Sequence, residues 1–475
     1  MASPRDAEIN QAPPDSSAQG LLETVRARLA DIRAALGSDT DRAKAQRTAL
    51  TVFFIRVLSA GIAFASQVVL ARWMGSFEYG VFVFVWVWVL ILSVVSSVGL
   101  NVSMMRFLPQ YTEQGKFDLL RGILLRGRLI IFGLATLLAG LALAVLWLMP
   151  GIVAEYYLLP AYIVFFCVPV IVLTDAQDCI GRAYNWMQIA LVPPYILRPL
   201  MLLFAMGGAA LLGLPMVATT AAACAVVAAY VTYLVQTVLL QRRLAKTVPS
   251  GPRAYDTRFW MITALPILFV EGIDLLLYNI DVLAISHFMT PSDAGIYFAS
   301  LKTIGLVSFV HYAVGSSIAN RISALKARGD REGLERFVKD AAQWTFWPSL
   351  FAIIGLLIVG KPLLWLFGAE FMSGYSVMAI LAIGIMLRAA VGPAEFVMNM
   401  MGEQRTCALV LFCSVILNVV LNIALIPLYG LVGAAIATSL SRVAASVLFY
   451  LAAKQRLGLD ISILSRFKNP STADV

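Results

Sequence analysis

The stretch ARWMGSFEYGVF at residues 71–82 aligns without a gap with SHFMTPSDAGIY at residues 286–297. The same spacing superimposes two further pairs of basic residues, Arg106 with Arg321 and Arg121 with Arg336. Later in the chain, LGLPMVAT at 212–219 resembles YGLVGAAIAT at 429–438 with a small gap. Chance similarity between apolar segments is the alternative, and the constant spacing across turns and arginines disfavours it. The repeat predicts two halves of matching architecture.

The composition excludes an ordinary soluble domain. Apolar residues make up 60% of the chain, charged residues 13%, and the mean hydropathy is +0.84. Runs of about 20 apolar residues, the length that spans the hydrocarbon core, follow one another from Leu50 to Leu451. We expect about twelve transmembrane helices near 48–70, 80–104, 127–149, 157–177, 188–212, 215–240, 260–287, 294–318, 342–360, 373–397, 405–427 and 431–452.

The positions of the basic residues predict the topology. With the N-terminus in the cytoplasm, 29 of the 36 Lys and Arg residues fall in cytoplasmic segments. Two, Arg72 and Lys361, fall in outer segments, and five lie within spans. This bias follows the positive-inside rule, so both termini are expected on the cytoplasmic side of a bacterial inner membrane. The net charge of +9 therefore reflects membrane topology and not nucleic-acid binding.

Each half would hold six helices that start from the same side, so the repeats are parallel. The sequence predicts an all-α membrane protein with two pseudo-symmetric six-helix lobes around a central cavity. The expected segments, in chain order, are a cytoplasmic disordered tail plus amphipathic helix (1–47), the first lobe (48–240), a cytoplasmic linker (241–258), the second lobe (259–452) and a cytoplasmic tail (453–475).

Formal charges at bilayer depth mark the candidate site. Each costs about 2.5–3.5 kcal/mol at the centre of a span, so such residues usually face a wet cavity or a partner. Five cations lie at this depth: Arg56, Arg198, Lys302, Arg388 and Arg442. Cationic groups offset the desolvation of an anionic passenger, and arginine binds phosphate oxygens in a bidentate manner. These five residues are the candidate substrate-binding cations, although Arg198 and Arg442 have local pairing or snorkelling as alternatives.

The seventh span carries an acidic face. Glu271, Asp274, Tyr278 and Asp281 are spaced i, i+3, i+7 and i+10, which places them along one side of a helix. Arg56 occupies the position equivalent to Glu271 in the repeat. We hypothesise that Glu271, Asp274 and Asp281 couple an ion or form a gate between the lobes, with Arg56 and Glu271 as an ion pair that opens during transport. A static bridge that only fixes helix packing is the alternative.

Several catalytic signatures are missing from the sequence. There is no GxxxxGK[ST] phosphate loop, no HExxH motif and no predicted outer loop longer than about a dozen residues. No cofactor is expected. The five cysteines all lie in apolar segments without metal-ligand spacing, which is typical of small buried side chains.

Three stretches carry a family resemblance. ARWMGSFEYGVF (71–82), RISALKARGDREGLERFV (321–338) and NMMGEQRTCALVLFCSVILNVVLNIALIPLYGLVGAAIATSLS (399–441) resemble polysaccharide-export flippases. These are the O-antigen-type oligosaccharide flippases of the multidrug/oligosaccharidyl-lipid/polysaccharide (MOP) exporter superfamily. The strongest match is the last stretch, with its Asn418, Asn422, Pro427 and Thr438.

The resemblance implies a MATE-like fold and a function. Such a protein would move undecaprenyl-diphosphate-linked oligosaccharides to the periplasmic face by alternating access, for O-antigen, capsule or exopolysaccharide synthesis. Implied partners are the bilayer, H⁺ or Na⁺ as coupling ion, a polymerase, a chain-length regulator and glycosyltransferases.

Three other functions remain open at this stage. A cation-coupled multidrug antiporter of the same superfamily would use the acidic face as its cation site. A membrane-embedded polysaccharide polymerase or glycosyltransferase would need an outer catalytic loop. A non-transporting scaffold would leave the intramembrane charges without a role.

Overall fold

A computed structural model describes residues 41–308, 314, 318, 321–322, 325–326, 328–461 and 463. The predicted amphipathic helix within 1–47 lies largely outside these residues. The chain forms two units, Met1–Leu58 and Ser59–Val475. The first contributes the start of a long helix, and the second holds the remaining described elements.

The described residues form helices and turns, with no strand among them. The helices are α1 (Asp41–Ser97), α2 (Leu100–Glu113), α3 (Phe117–Leu148), α4 (Glu155–Val164), α5 (Val168–Ala183), α6 (Met187–Val192), α7 (Arg198–Leu211), α8 (Ala218–Thr247), α9 (Thr257–Phe288), α10 (Pro291–Gly305), α11 (Arg331–Ile358), α12 (Gly360–Phe367), α13 (Tyr375–Val391), α14 (Ala394–Met401) and α15 (Gln404–Ala452).

Two glycines divide the longest helices. Gly75 in α1 has φ 75° and ψ 170°, and Gly430 in α15 has φ 58° and ψ −135°. Both lie in the left-handed half of the φ range, where a residue with a Cβ atom is strained. Each therefore marks a turn between two consecutive spans, at the places where the sequence predicts them.

Nine helical segments within the described ranges are long and apolar enough to cross a membrane. Two of these, Thr51–Ser97 and Gln404–Leu457, each contain two predicted spans on either side of a glycine kink. The predicted span 294–318 runs into residues outside the described set. The total of about twelve helices therefore stays a prediction.

Part of the predicted linker 241–258 is helical. Helix α8 continues to Thr247, and α9 begins at Thr257. The basic residues Arg242, Arg243 and Lys246 extend α8, and Pro249 follows its end. Arg121 of α3 holds this linker by donating hydrogen bonds to the carbonyl oxygens of Pro249 (2.9 Å) and Pro252 (2.7 Å).

The two repeated stretches pack against each other. A Cβ atom on Gly80 would overlap the carbonyl group of Pro291, and one on Gly295 would come within 2.7 Å of the Ser76 carbonyl oxygen. The matching glycines of the repeat therefore allow the second segment of α1 to cross α10 at backbone contact. Small residues serve this purpose in membrane helix packing generally.

Gly80→Val should destabilise the protein by about 1–3 kcal/mol, because the added side chain has no space against α10. The measurement is the thermal unfolding midpoint of the purified protein in detergent, followed by tryptophan fluorescence. Gly140→Val is the matched control, since a Cβ atom at Gly140 meets nothing within 4 Å. Equal midpoints for the two variants would contradict the close crossing.

Candidate functional site

A buried carboxylate in α9 is the centre of a hydrogen-bonded cluster. The Asp281 residue is 1% exposed. Its Oδ2 accepts a hydrogen bond from the Tyr297 hydroxyl (3.0 Å). Its Oδ1 accepts from the side-chain amides of Asn418 (3.3 Å) and Asn422 (2.8 Å). With Thr438, whose hydroxyl lies 3.0 Å from that of Tyr297, these residues form what we call the Asp281 cluster.

The kink in α15 brings both of its segments to the cluster. Asn418 precedes Gly430 and Ser441 follows it, yet the Asn418 amide donates a 3.1 Å hydrogen bond to the Ser441 hydroxyl. The chain therefore reverses at Gly430, so that residues from both segments reach α9. Asn418 and Asn422 are one turn apart and share a helix face.

The chemistry of the Asp281 cluster suits a small cation or a proton. The Asn418 and Asn422 side chains present N–H groups to the Asp281 carboxylate, and turning the amides would present their oxygen atoms instead. Carboxylate, amide and hydroxyl oxygens are the ligands that hard cations prefer. The Asn422 Oδ1 atom is buried and has no hydrogen-bond partner among the described residues. This oxygen atom is therefore free to serve as a ligand if the Asn422 amide turns toward the Asp281 carboxylate. No group of three or more His, Cys, Asp or Glu side chains with metal-binding geometry occurs in the described part of the chain.

The other acidic residues of α9 have different surroundings. Glu271 and Asp274 are half-buried and Tyr278 is exposed, whereas Asp281 is fully buried. Glu271 lies within electrostatic range of Asp175 from α5 in the first half of the chain. The face that the sequence predicts as continuous is therefore divided into a half-buried acidic part and a closed polar cluster.

Arg388 pairs with a carboxylate that the sequence analysis did not single out. Its guanidinium group lies 3.3 Å from the Glu395 carboxylate, with side chains 32% and 28% exposed. The chain breaks between α13 and α14 at Gly392, which has φ 74°, and this break turns Glu395 back toward Arg388. Asp274 lies within electrostatic range of both. The set therefore carries one positive and two negative charges when all three are ionised.

A second group of charges lies in the first half. Arg182 binds Asp178 through two hydrogen bonds, of 2.8 and 2.6 Å, one turn apart on α5. Arg198, at the start of α7, lies within electrostatic range of Asp175. Arg182 lies between the predicted spans 157–177 and 188–212, and neither aspartate is among the predicted site residues. Asp175 and Asp178 lie seven and four residues before Arg182, which places all three on one face of a helix, and this spacing is the signal that could have identified them.

Lys302 is the most accessible of the predicted cations. Its side chain on α10 has accessible surface although protein atoms surround it, as expected for a group that lines a recess, and its ammonium nitrogen lies 4.7 Å from the centre of the Phe298 ring. It makes no ion pair with any described carboxylate. An exposed lysine in a predicted span, without a counter-charge, is suited to an anionic ligand.

The remaining two predicted cations, Arg442 and Arg56, lie in different parts of the structure. Arg442 of α15 has its guanidinium carbon 5.6 Å from the centre of the Tyr278 ring. Arg56 is half-buried in α1 and belongs to the unit Met1–Leu58. Its pairing with Glu271 therefore stays a prediction.

Within the unit Ser59–Val475, residues from the first and second halves of the chain meet at the turn near Gly75. The Ser76 amide donates a 2.6 Å hydrogen bond to the Glu370 carboxylate. The Arg72 guanidinium donates to the Trp365 carbonyl oxygen (3.1 Å) and lies 4.9 Å from the centre of that residue's ring. These contacts join the repeated stretch 71–82 to α12 and to the segment between α12 and α13.

No family model matches the chain. Two proteins of Haloferax volcanii are similar to part of it. The probable low-salt glycan biosynthesis flippase Agl15 is 28% identical over 165 residues, and the probable flippase AglR is 26% identical over 175 residues. The matches cover 34% and 36% of this chain and the same shares of the relatives. The chain thus matches these relatives over about a third of their length.

Solved structures match over most of the chain. An inward-facing MATE multidrug resistance transporter of the MOP superfamily has a TM-score of 0.70 at 14% identity, covering 84% of this chain and 94% of its own. The lipid II flippase MurJ in an inward closed conformation has a TM-score of 0.65 at 14% identity, covering 85% and 87%. A MOP superfamily transporter from Pyrococcus furiosus has a TM-score of 0.59 at 15% identity, covering 89% and 94%.

These matches confirm the all-α, MATE-like fold class. The nine helical segments of the described ranges that are long and apolar enough to cross a membrane agree with this fold and support a multi-pass membrane protein. All of the similar proteins reported above are named as flippases or transporters.

Proposed function

We propose that this chain, which has the fold shared by MATE transporters and the lipid II flippase, is a flippase for undecaprenyl-diphosphate-linked oligosaccharides. The partial relatives are named as glycan-related and probable flippases, and this supports the same class of passenger. The site is proposed to bind the diphosphate, while the lipid tail stays in the bilayer. Alternating access between two halves then moves the polar head across the membrane.

The observation that carries this proposal is that Lys302 is accessible and has no counter-charge in the described part of the chain. It is exposed within a predicted span and has no carboxylate partner among the described residues. An uncompensated cation at this depth is costly unless an anion or water accompanies it. Arg198, Arg388, Arg442 and Arg56 are proposed to assist, with Arg388 exchanging Glu395 for a phosphate oxygen.

The Asp281 cluster is the proposed site for the coupling ion, Na⁺ or H⁺. Asp281 supplies the negative charge, and Asn418, Asn422 and Thr438 supply further oxygen atoms once the amide groups turn. Glu271 and Asp274 are proposed to respond to the passenger, since they lie near Arg388 or the charges of α5.

The proposed setting is a bacterial inner membrane with both termini in the cytoplasm. The distribution of Lys and Arg residues supports this orientation. The proposed partners are the glycosyltransferases that build the repeat unit and the polymerase and chain-length regulator that use it.

Alternating access requires the contacts near Gly75 to break when the outer side opens. Glu370→Gln replaces a charge-assisted hydrogen bond to Ser76 with a neutral one, which weakens it by about 1 kcal/mol and raises the open population about fivefold. Phe298→Cys in a cysteine-free background reports opening through its labelling rate with a membrane-impermeant maleimide. Glu155→Gln, at an exposed position, is the control and should leave the rate unchanged. A rate that Glu370→Gln does not increase would contradict a gate at this contact.

The second candidate function is a cation-coupled multidrug antiporter. The observation that favours it is the meeting of the carboxylates Asp175, Glu271 and Asp274, which suits a cationic passenger.

A ligand comparison on the purified protein distinguishes the two functions. A soluble analogue of the substrate, a short-chain polyprenyl diphosphate sugar, should raise the thermal unfolding midpoint, and this shift should disappear in Lys302→Ala. Stabilisation by a cationic drug such as ethidium, lost in Glu271→Gln but retained in Lys302→Ala, would replace the flippase proposal with the antiporter.

A further inference from the structure

A groove open to the surroundings lies where α11 turns into α12. Its volume is ≈ 540 Å³, and its lining residues are Ile354, Leu357, Ile358, Lys361, Pro362 and Tyr375. It is built by the last turn of α11, the first turn of α12 and the start of α13. None of these residues belongs to the proposed transport site, so the groove is independent of the proposed function.

The walls of this groove are apolar and accessible. Ile358 is 75% exposed and Ile354 is 46% exposed. Both belong to the apolar helix α11, which is one of the candidate membrane spans. Such surface is stable when it faces hydrocarbon, so the groove offers a site for an acyl chain.

The rim of the groove holds one cation. Lys361 is exposed, its ammonium nitrogen lies 5.4 Å from the centre of the Tyr375 ring, and no described carboxylate pairs with it. The Tyr375 hydroxyl donates a 3.0 Å hydrogen bond to the Leu357 carbonyl oxygen, which fixes the ring beneath the lysine. The ammonium group is thus held at the rim, and the apolar walls begin directly beside it.

The position along the helices agrees with a headgroup site. Lys361 is in the same short helix as Trp365, whose carbonyl oxygen binds Arg72 at the turn between two predicted spans. The rim therefore lies at the end of the bundle where the chain leaves the bilayer. At this level lysine side chains reach the phosphates of lipids.

We propose that this groove binds an anionic glycerophospholipid. Its phosphate would contact the Lys361 ammonium group, and one acyl chain would lie along Ile354, Leu357 and Ile358. Charge complementarity at the rim and apolar walls below it match the two parts of this ligand. A soluble protein partner would leave the exposed side chains of α11 unmatched within the hydrocarbon layer.

The test counts lipids retained by the full-length protein in native mass spectrometry, from detergent micelles doped with phosphatidylglycerol or phosphatidylcholine. Lys361→Ala should weaken the tightest phosphatidylglycerol adduct about fivefold, the effect of one basic residue at an anionic surface. Lys361→Arg should retain the adduct. Lys116→Ala, at an exposed cation away from the groove, is the control.

A second variant separates the groove from the charge. Ile358→Trp keeps Lys361 and fills the groove at a residue that is mostly exposed, so folding is preserved while the adduct is weakened. Equal retention by the wild type and Lys361→Ala would overturn the proposal. Full retention by Ile358→Trp, or displacement of the lipid by glycerol phosphate alone, would equally overturn it, because the acyl chain would then contribute nothing.

Discussion

Lys302→Ala should lower the rate of lipid-linked oligosaccharide transport roughly ten- to a hundredfold at normal protein level. A hydrogen bond between a charged donor and a phosphate contributes about 1.5–3 kcal/mol, and this variant removes it from the passenger's path. Because Lys302 is exposed and unpaired among the described carboxylates, its loss leaves no buried charge behind. The measurement is the initial transport rate in proteoliposomes, with protein folding checked by the unfolding midpoint.

Two controls define what that result means. Lys302→Arg should retain most of the activity, since the charge and the hydrogen-bond donors remain. Lys116→Ala removes an equally exposed cation outside the predicted spans and should leave transport unchanged. Full activity in Lys302→Ala would remove the main support for an anionic passenger at this position.

Asp281→Asn should abolish the ion dependence of transport and reduce its maximal rate at least tenfold. The substitution preserves size but replaces the carboxylate that accepts from Tyr297, Asn418 and Asn422. The amide cannot hold a coupling cation by charge, and it leaves buried donors poorly matched, at about 1–3 kcal/mol each. The initial rate is measured as a function of Na⁺ concentration and of pH, in wild type and variant.

The two coupling ions give different results in this experiment. A wild-type rate that rises with Na⁺ at constant pH identifies sodium, and a rate that follows the proton gradient alone identifies H⁺. Glu332→Gln makes the same chemical change at an exposed position and should preserve either dependence. An ion dependence that persists in Asp281→Asn would show that the coupling site lies elsewhere.

The sequence predicted the features that depend on local pattern. Apolar runs, the distribution of basic residues and the internal repeat indicated the membrane class and two matching halves, and the family resemblance implied the MATE-like fold. The turns at Gly75 and Gly430 also followed from the sequence, because only glycine adopts those backbone angles without strain. The repeat further indicated that Gly80 and Gly295 are equivalent, although it gave no sign that the two stretches pack together.

The sequence could not determine which charges meet. Glu271, Asp274 and Asp281 share a helix face, yet only Asp281 is enclosed by α10 and by both segments of α15. That enclosure depends on a chain reversal at a distant glycine. Arg388 similarly finds Glu395 only because the helix breaks at Gly392. Periodicity places residues on a face of their own helix, and the packing of other helices then decides their environment.

Reconstituted liposomes give the most direct measurement of the proposed transport. Undecaprenyl-diphosphate oligosaccharide with a fluorescent sugar is placed in one leaflet, and the fraction reached by an impermeant quencher on the other side is followed over time. Wild-type protein should expose the labelled head much faster than protein-free liposomes or liposomes with Lys302→Ala. Equal rates in all three preparations, with correctly folded protein, would contradict an intramembrane cationic route for the diphosphate.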